Sequence, residues 1–234
     1  MESLVVYIPV LLILSSLITG LSPKSLNNFY SGIIGTFLVF IALILSVLIL
    51  FDIYLQEENF YYDNFYDWIS INGLNIGIGY LIDKFSSIML VVVLFISFVV
   101  HIYSIGYMKH EEDFKRFFSY IALFTFSMIL LVMSNNLIQL FIGWEGVGLV
   151  SYLLIGFWFA KESAAMGGLK AFIVNRVGDM GLILGLKFQG ERINIFTFGL
   201  MRRLVIWGFY HIIRVQLIYG IRQTLALRIL SVKI

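Results

Sequence analysis

The sequence contains no cysteine, which excludes disulfides, thiol catalysis and cysteine metal sites. It is also poor in charge: 13% of its 234 residues are Asp, Glu, Lys or Arg, against about 25% in ordinary soluble domains. Sixty per cent of the residues are hydrophobic, and a soluble globule would need far more polar surface than that composition supplies. The three histidines, His101, His110 and His211, are widely separated, and no metal-ligand spacing with Asp or Glu stands out, so no metal site is expected. No glycine-rich phosphate cradle follows a strand. The abundant Phe and Tyr fit lipid contact and interface belts better than a base-stacking platform, so nucleic acid is not an expected partner. What remains is an integral membrane protein whose apolar faces meet the lipid bilayer.

The first residues, "MESLVVYIPVLLILSSLITG", have Glu2 where a signal peptide carries positive charge, and no small-residue cleavage site follows, so they read as a retained first span. No Arg- and Ser-rich transit peptide is evident either. A spanning helix needs about 20 apolar residues. Six segments meet this: Leu4 to Gly20, Ser31 to Phe51, Ile82 to Tyr103, Phe117 to Met133, Leu137 to Phe159, and a sixth from near Leu169 to near Leu186. The long polar segment before the third holds Asp52, Glu57, Glu58, Asp63 and Asp67 and no base. With alternating spans, Lys24, Lys109, Lys115, Arg116 and Lys161 fall on one side, which the positive-inside rule makes cytoplasm or matrix. "HEEDFKR", His110 to Arg116, reads as a solvated loop of mixed charge, Gly167-Gly168 as a loop feature, and His101 as a histidine near the membrane interface.

Residues 187–234 break the pattern. They carry eight bases and one acid, +7, whereas residues 1–186 carry eight bases and thirteen acids, −5. Arg202, Arg203 and Arg214 would each cost about 2.5–3.5 kcal/mol at the centre of a seventh span over Ile193 to Tyr219. Arg192, Arg203 and Arg214 recur every eleven positions, within about 40 degrees of one another on a helix, a stripe suited to anionic headgroups. An interfacial helix is the expectation for this tail.

Glu145 is the only charged residue between Arg116 and Lys161. It lies eight residues into its span, about 12 Å at 1.5 Å per residue, near the middle of a ~30 Å core. An ionised acid there costs several kcal/mol without a partner, so Glu145 should face other helices or an internal water chain, placed to exchange a proton. Gly143, Gly146 and Gly148 remove bulk around it and let a helix approach, and Trp144 can fix its rotation by packing. The bland alternative is a buried acid that only joins helices. In the sixth span Arg176 and Asp179 stand three apart, on one face, where opposite charges pair. They read either as mutual neutralisation or as part of a polar axis between helices. Lys170, at the start of that span, can snorkel to the interface.

Three stretches, "HIYSIGYM", "RFFSYIALFTFSMILLVMSNNLIQLFIGWEGVGLVSYLLIGFW" and "KAFIVNRVGDMGLILG", together resemble the chain 5 family of NADH:ubiquinone oxidoreductase, respiratory complex I. These are antiporter-like subunits of its membrane arm. The resemblance covers about Leu4 to Leu186 and is close from His101 onward. It implies a role in proton translocation coupled to electron transfer from NADH to quinone, in a mitochondrial inner membrane or, alternatively, a bacterial plasma membrane. Redox catalysis is not implied for this chain. NAD, FMN, iron-sulfur clusters and ubiquinone belong to the rest of the complex, and other membrane-arm subunits are the implied partners. In the family the glutamate of "GWEG", here Glu145, pairs with a lysine on a later, broken helix, and Arg176 and Asp179 match charged positions of the sixth helix. Lys170 joins these three as a proton-translocation candidate.

After "GLILG" the text departs from the family and the broken helix is not recognisable, so Glu145 lacks that partner lysine here. The fold class expected is an all-α membrane protein: six transmembrane helices of an antiporter-like subunit, truncated, over residues 1–186, then a basic amphipathic tail over 187–234. A second chain supplying the missing C-terminal half is one expectation. A chimeric or frameshifted reading frame without complex I activity and a stand-alone cation/proton antiporter are the others.

Overall fold

The computed structural model describes residues 2–22, 27–55, 60–71 and 74–189. The expected interfacial tail, apart from its first three residues, and the acids Glu57 and Glu58 lie outside the described residues. The chain divides into two units, residues 1–188 and 189–234. The described elements belong to the first, save the last residue of the final helix.

These elements run α1 (Glu2–Val5), α2 (Tyr7–Leu21), α3 (Asn28–Leu55), β1 (Phe60–Ile71), β2 (Leu74–Asp83), α4 (Lys84–Tyr107), α5 (Phe114–Val132), α6 (Leu137–Ile155) and α7 (Glu162–Gln189). The six expected spans therefore correspond to helices, and α3 to α6 are long and apolar enough to cross a membrane. In hydrocarbon a helix is favoured because it satisfies its own backbone amides. Two helix starts are set by caps: the Asp83 carboxylate accepts from the Ser86 amide at 2.7 Å, and the Asn136 side chain accepts from the Gln139 amide at 2.8 Å. The turn read at Gly167-Gly168 is instead part of α7, which begins seven residues earlier than expected, at Glu162. Gly168 packs on the Tyr152 ring and backbone, which gives the glycine a helical use.

The acidic segment is the main departure from an all-helical reading. Part of it forms a two-stranded antiparallel hairpin, β1 with β2, pairing Phe60 with Asp83 and Ile71 with Leu74, with irregularities between Asn64 and Tyr66 and between Asp67 and Ile69. Aromatic and β-branched residues suit a pleated ribbon, and Tyr61 and Tyr80 are buried while Tyr62, Tyr66 and Trp68 are exposed. The hairpin is tied to the α5–α6 connection. Leu81 donates to the Met133 carbonyl at 2.9 Å, and Gln139 brackets Gly79, accepting from its amide at 3.2 Å and donating to its carbonyl at 2.8 Å.

The opposite end holds the basic loops. Arg116 pairs with Asp113 at 2.9 Å, donates to the Phe157 carbonyl at 3.3 Å and lies 4.9 Å from the Phe157 ring centroid. The loop is exposed from His110 to Asp113, as its reading as a solvated loop expects, and Arg116 at its end is braced against Phe157, just beyond α6. Between the two ends, small polar residues let helices approach closely. Ser15 on α2 donates to the Gly35 carbonyl on α3 at 3.1 Å, while Ser16 and Ser119 each donate to the other's carbonyl, at 3.0 and 2.9 Å. Large apolar side chains such as Phe37, Phe40 and Phe95 point outward, as lipid contact requires.

Candidate functional site

α6 and α7 bring the intramembrane charges together. α6 starts at Leu137, so Glu145 stands about 12 Å along it. Gly143 on the same helix lies against α5 so closely that a Cβ there would come 2.7 Å from the Leu131 amide nitrogen. A side chain at that position would push α6 away from α5, which explains a glycine beside the acid.

Glu145 forms an ion pair with the Arg176 guanidinium of α7. Arg176 Nε also lies 3.6 Å from Oδ2 of Asp179, an electrostatic contact too long for a hydrogen bond. The other Asp179 oxygen, Oδ1, accepts from the Trp144 indole nitrogen at 2.7 Å. Asp179 is 4% exposed, the most enclosed of the three charges. The guanidinium sits 4.7 Å from the Phe172 ring centroid, and Phe172 meets Tyr152 of α6 at 5.5 Å. One cation is therefore shared by two carboxylates, one from each helix. Fully ionised, the three side chains sum to −1. A single proton on either carboxyl makes the cluster neutral, and in a medium of low dielectric neutrality is strongly favoured. The chemistry available is reversible proton uptake.

Of the four residues singled out from the sequence, Glu145, Arg176 and Asp179 meet in this cluster. Lys170 does not: it is exposed on α7 and takes part in none of the ion pairs found among the described residues. Trp144, a packing residue by sequence, supplies through its indole the hydrogen bond that orients Asp179. Its tell is a lone indole donor next to the only acid of an apolar span. His101, interfacial by sequence, is fully buried. Hydroxyl-bearing Ser97 and Ser104, four before and three after it, are the sequence signal of a polar face at that point. Among the described residues no three His, Asp or Glu side chains gather as a metal would need.

Comparison with known proteins identifies the family. Residues 68–118 match the family model described as NADH-Ubiquinone oxidoreductase (complex I), chain 5 N-terminus. Residues 134–214 match the one described as NADH:quinone oxidoreductase/Mrp antiporter, TM, a match that runs beyond the boundary at Leu186 read from the sequence. The chain is 47% identical over 172 residues to NADH-quinone oxidoreductase subunit L of Neisseria meningitidis serogroup A, covering 73% of this chain and 26% of that protein. It is 42% identical over 185 residues to subunit L of Rickettsia typhi, covering 79% and 28%. It is 44% identical over 185 residues to the chloroplastic NAD(P)H-quinone oxidoreductase subunit 5 of Chaetosphaeridium globosum, covering 76% and 27%. The chain spans about a quarter of the length of these curated relatives. With the matched segments taking in the hairpin, α4 and the helices that carry Glu145, Arg176 and Asp179, the chain belongs to the antiporter-like chain 5 family of NADH:quinone oxidoreductase.

Proposed function

We propose that this chain acts within the membrane arm of a proton-translocating NADH:quinone oxidoreductase, where Glu145, Arg176 and Asp179 form a proton-exchanging site. The observation that carries the reading is the sharing of one guanidinium by two carboxylates on different helices. A site built only to hold α6 to α7 would be satisfied by one acid and one base. The second acid leaves room for one proton, and moving that proton on or off changes the attraction between Arg176 and each helix.

The electron-transfer groups, NAD, FMN, iron-sulfur clusters and ubiquinone, belong to other subunits of the complex, and its other membrane-arm subunits are the chain's partners. The basic end of the bundle faces the matrix of a mitochondrial inner membrane or, alternatively, the cytoplasm of a bacterial plasma membrane, the side that the positive-inside rule assigns to it. Lys170 anchors α7 near that interface. The division at residues 186 and 187 separates the antiporter-like part from the basic tail; the boundary between the two structural units at residue 188 supports it, while the antiporter family match continues to residue 214.

The test is Glu145→Gln in the assembled membrane complex, which preserves shape and removes the charge. Proton pumping per NADH oxidised is expected to fall by about tenfold, with complex abundance on native gels close to normal. Unchanged pumping at normal abundance would defeat the reading.

A further inference from the structure

α4 carries a buried titratable group that the carboxylate cluster does not use. His101 is 0% exposed. It stands six residues before Tyr107, the last residue of α4, so about 9 Å from the basic end of that helix. Its Nδ1 lies 2.8 Å from the Ser97 carbonyl oxygen, one turn back. A carbonyl can only accept, so Nδ1 carries the proton, and the neutral ring presents a bare lone pair at Nε2. That atom is buried, and no protein group among the described residues bonds to it.

A buried acceptor without a donor is unfavourable, and an apolar residue would fill the same place without that cost. The surroundings are polar in a directed way. Ser97 Oγ lies 2.6 Å from Thr125 Oγ1 of α5, and Ser104 is buried three positions after His101, on the same helical face. An internal water needs two to four polar partners. Nε2 offers one acceptor, and the buried Ser104 stands one turn further along the same face of α4.

An opening lies beyond two buried aromatic rings. The His101 ring meets the edge of Phe118 at 5.8 Å, and Phe118 stacks on Phe114 at 4.5 Å. Phe114 in turn lines a cleft of about 490 Å³, with Tyr30, Ile105, Gly106 and Lys109. Lys109 places that cleft at the basic end of the bundle. Two aromatic rings therefore separate the histidine from an opening at the inner surface.

We propose that His101, with Ser97, Ser104 and Thr125, is a second intramembrane site, which binds one water molecule at Nε2 and exchanges protons with the inner-surface cleft. In the exchange a hydronium ion gives its proton to Nε2, leaving water and a ring protonated on both nitrogens, and the return step restores hydronium and the neutral ring. The water binding stands on the geometry above, while the use of the proton rests on the proposed function.

Water-edited solid-state NMR of the full chain, labelled with ¹⁵N-histidine and ¹³C-carbonyl valine in phospholipid vesicles, tests the binding. Val100-His101 is the only Val-His step in the sequence, so the residue is identified without mutation. A protonated Nδ1, with an Nε2 signal that grows by transfer from water, is the expected result. A ring with the opposite tautomer, or an Nε2 that receives no transfer while exposed histidines do, overturns it. In the assembled complex His101→Gln is expected to cut proton pumping by about tenfold. Normal pumping in that variant alongside a defect in Glu145→Gln overturns the histidine exchange and leaves the carboxylate site standing. The reverse pattern supports His101 and removes the function proposed for Glu145.

Discussion

Trp144 and Asp179, thirty-five residues apart in the sequence, are joined across α6 and α7 by a 2.7 Å hydrogen bond from the indole to the carboxylate. With Oδ1 held there, Oδ2 is the oxygen turned to Arg176. The indole therefore decides which way the more buried acid faces. Trp144→Phe keeps the aromatic bulk and removes the donor. Leaving that carboxylate oxygen unmatched costs about 1–3 kcal/mol, and the acid is free to turn toward Arg176. Proton pumping in the assembled complex should fall more than its abundance on native gels. Equal loss of both would show that the indole only stabilises the helix pair.

The charge count of the cluster makes its two acids interdependent. Either Glu145→Gln or Asp179→Asn leaves one carboxylate against one guanidinium, a neutral pair that has no need of a proton. The double variant leaves Arg176, 37% exposed, beside two amides with neither carboxylate of the cluster to balance it, which is costly inside the bilayer. Each single variant should therefore assemble and pump poorly, whereas the double variant should fail to accumulate. Quantitative blotting of membranes reads the difference, and normal levels of the double variant would mean that Arg176 finds compensation elsewhere.

Two glycines flanking Glu145 should respond differently to a methyl group. At Gly143 an added Cβ would lie 2.7 Å from backbone nitrogen and 2.8 Å from Cα of Leu131, atoms that cannot rotate away. At Gly148 it would meet only the Asn175 side-chain nitrogen, at 3.6 Å. Gly143→Ala is expected to destabilise α5–α6 packing by about 1–3 kcal/mol, and Gly148→Ala to be nearly neutral. Thermal stability of the detergent-extracted protein distinguishes them. Similar effects at both positions would mean that α6 does not approach α5 as described.

Much of this site was legible in the sequence because the bilayer is a severe filter. One acid in a long apolar run had to find a partner, and Arg176 with Asp179 three positions later had to share a face. What spacing could not reveal was the cross-helix geometry. Nothing in the order of residues says that Trp144 reaches Asp179, or that Arg176 bridges to Glu145. His101 looked peripheral because it stands near the end of its span, although distance along a helix does not say which side a residue faces. The hairpin was hidden for another reason. Its acids marked it as a long polar segment, and they outweighed the aromatic runs on either side of Asn72-Gly73, a dipeptide that favours two-residue hairpin turns.

Gln139 attaches the hairpin together with the Leu81 amide, which donates to the Met133 carbonyl, and the Asn136 side chain, which donates to the Gly77 carbonyl. Gln139 is 5% exposed and meets both backbone groups of Gly79, as a neighbouring strand would. Gln139→Leu has nearly the same volume and neither bond, so it strands an amide and a carbonyl in a buried place, at about 1–3 kcal/mol for each group. Gln139→Glu retains an acceptor for the amide but places an anion or a lone hydroxyl against the carbonyl, so it should be intermediate. Hydrogen exchange at the Gly79 amide is the direct measurement. It should accelerate most in the leucine variant, because both Gln139 bonds to Gly79 are lost while the strand-to-strand bonds and the Leu81–Met133 bond remain. Faster exchange confined to Gly79 and Leu81, with the β1 amides unchanged, would show that the hairpin folds on its own and is only docked by Gln139. Acceleration throughout β1 and β2 would show that docking and hairpin formation are one event.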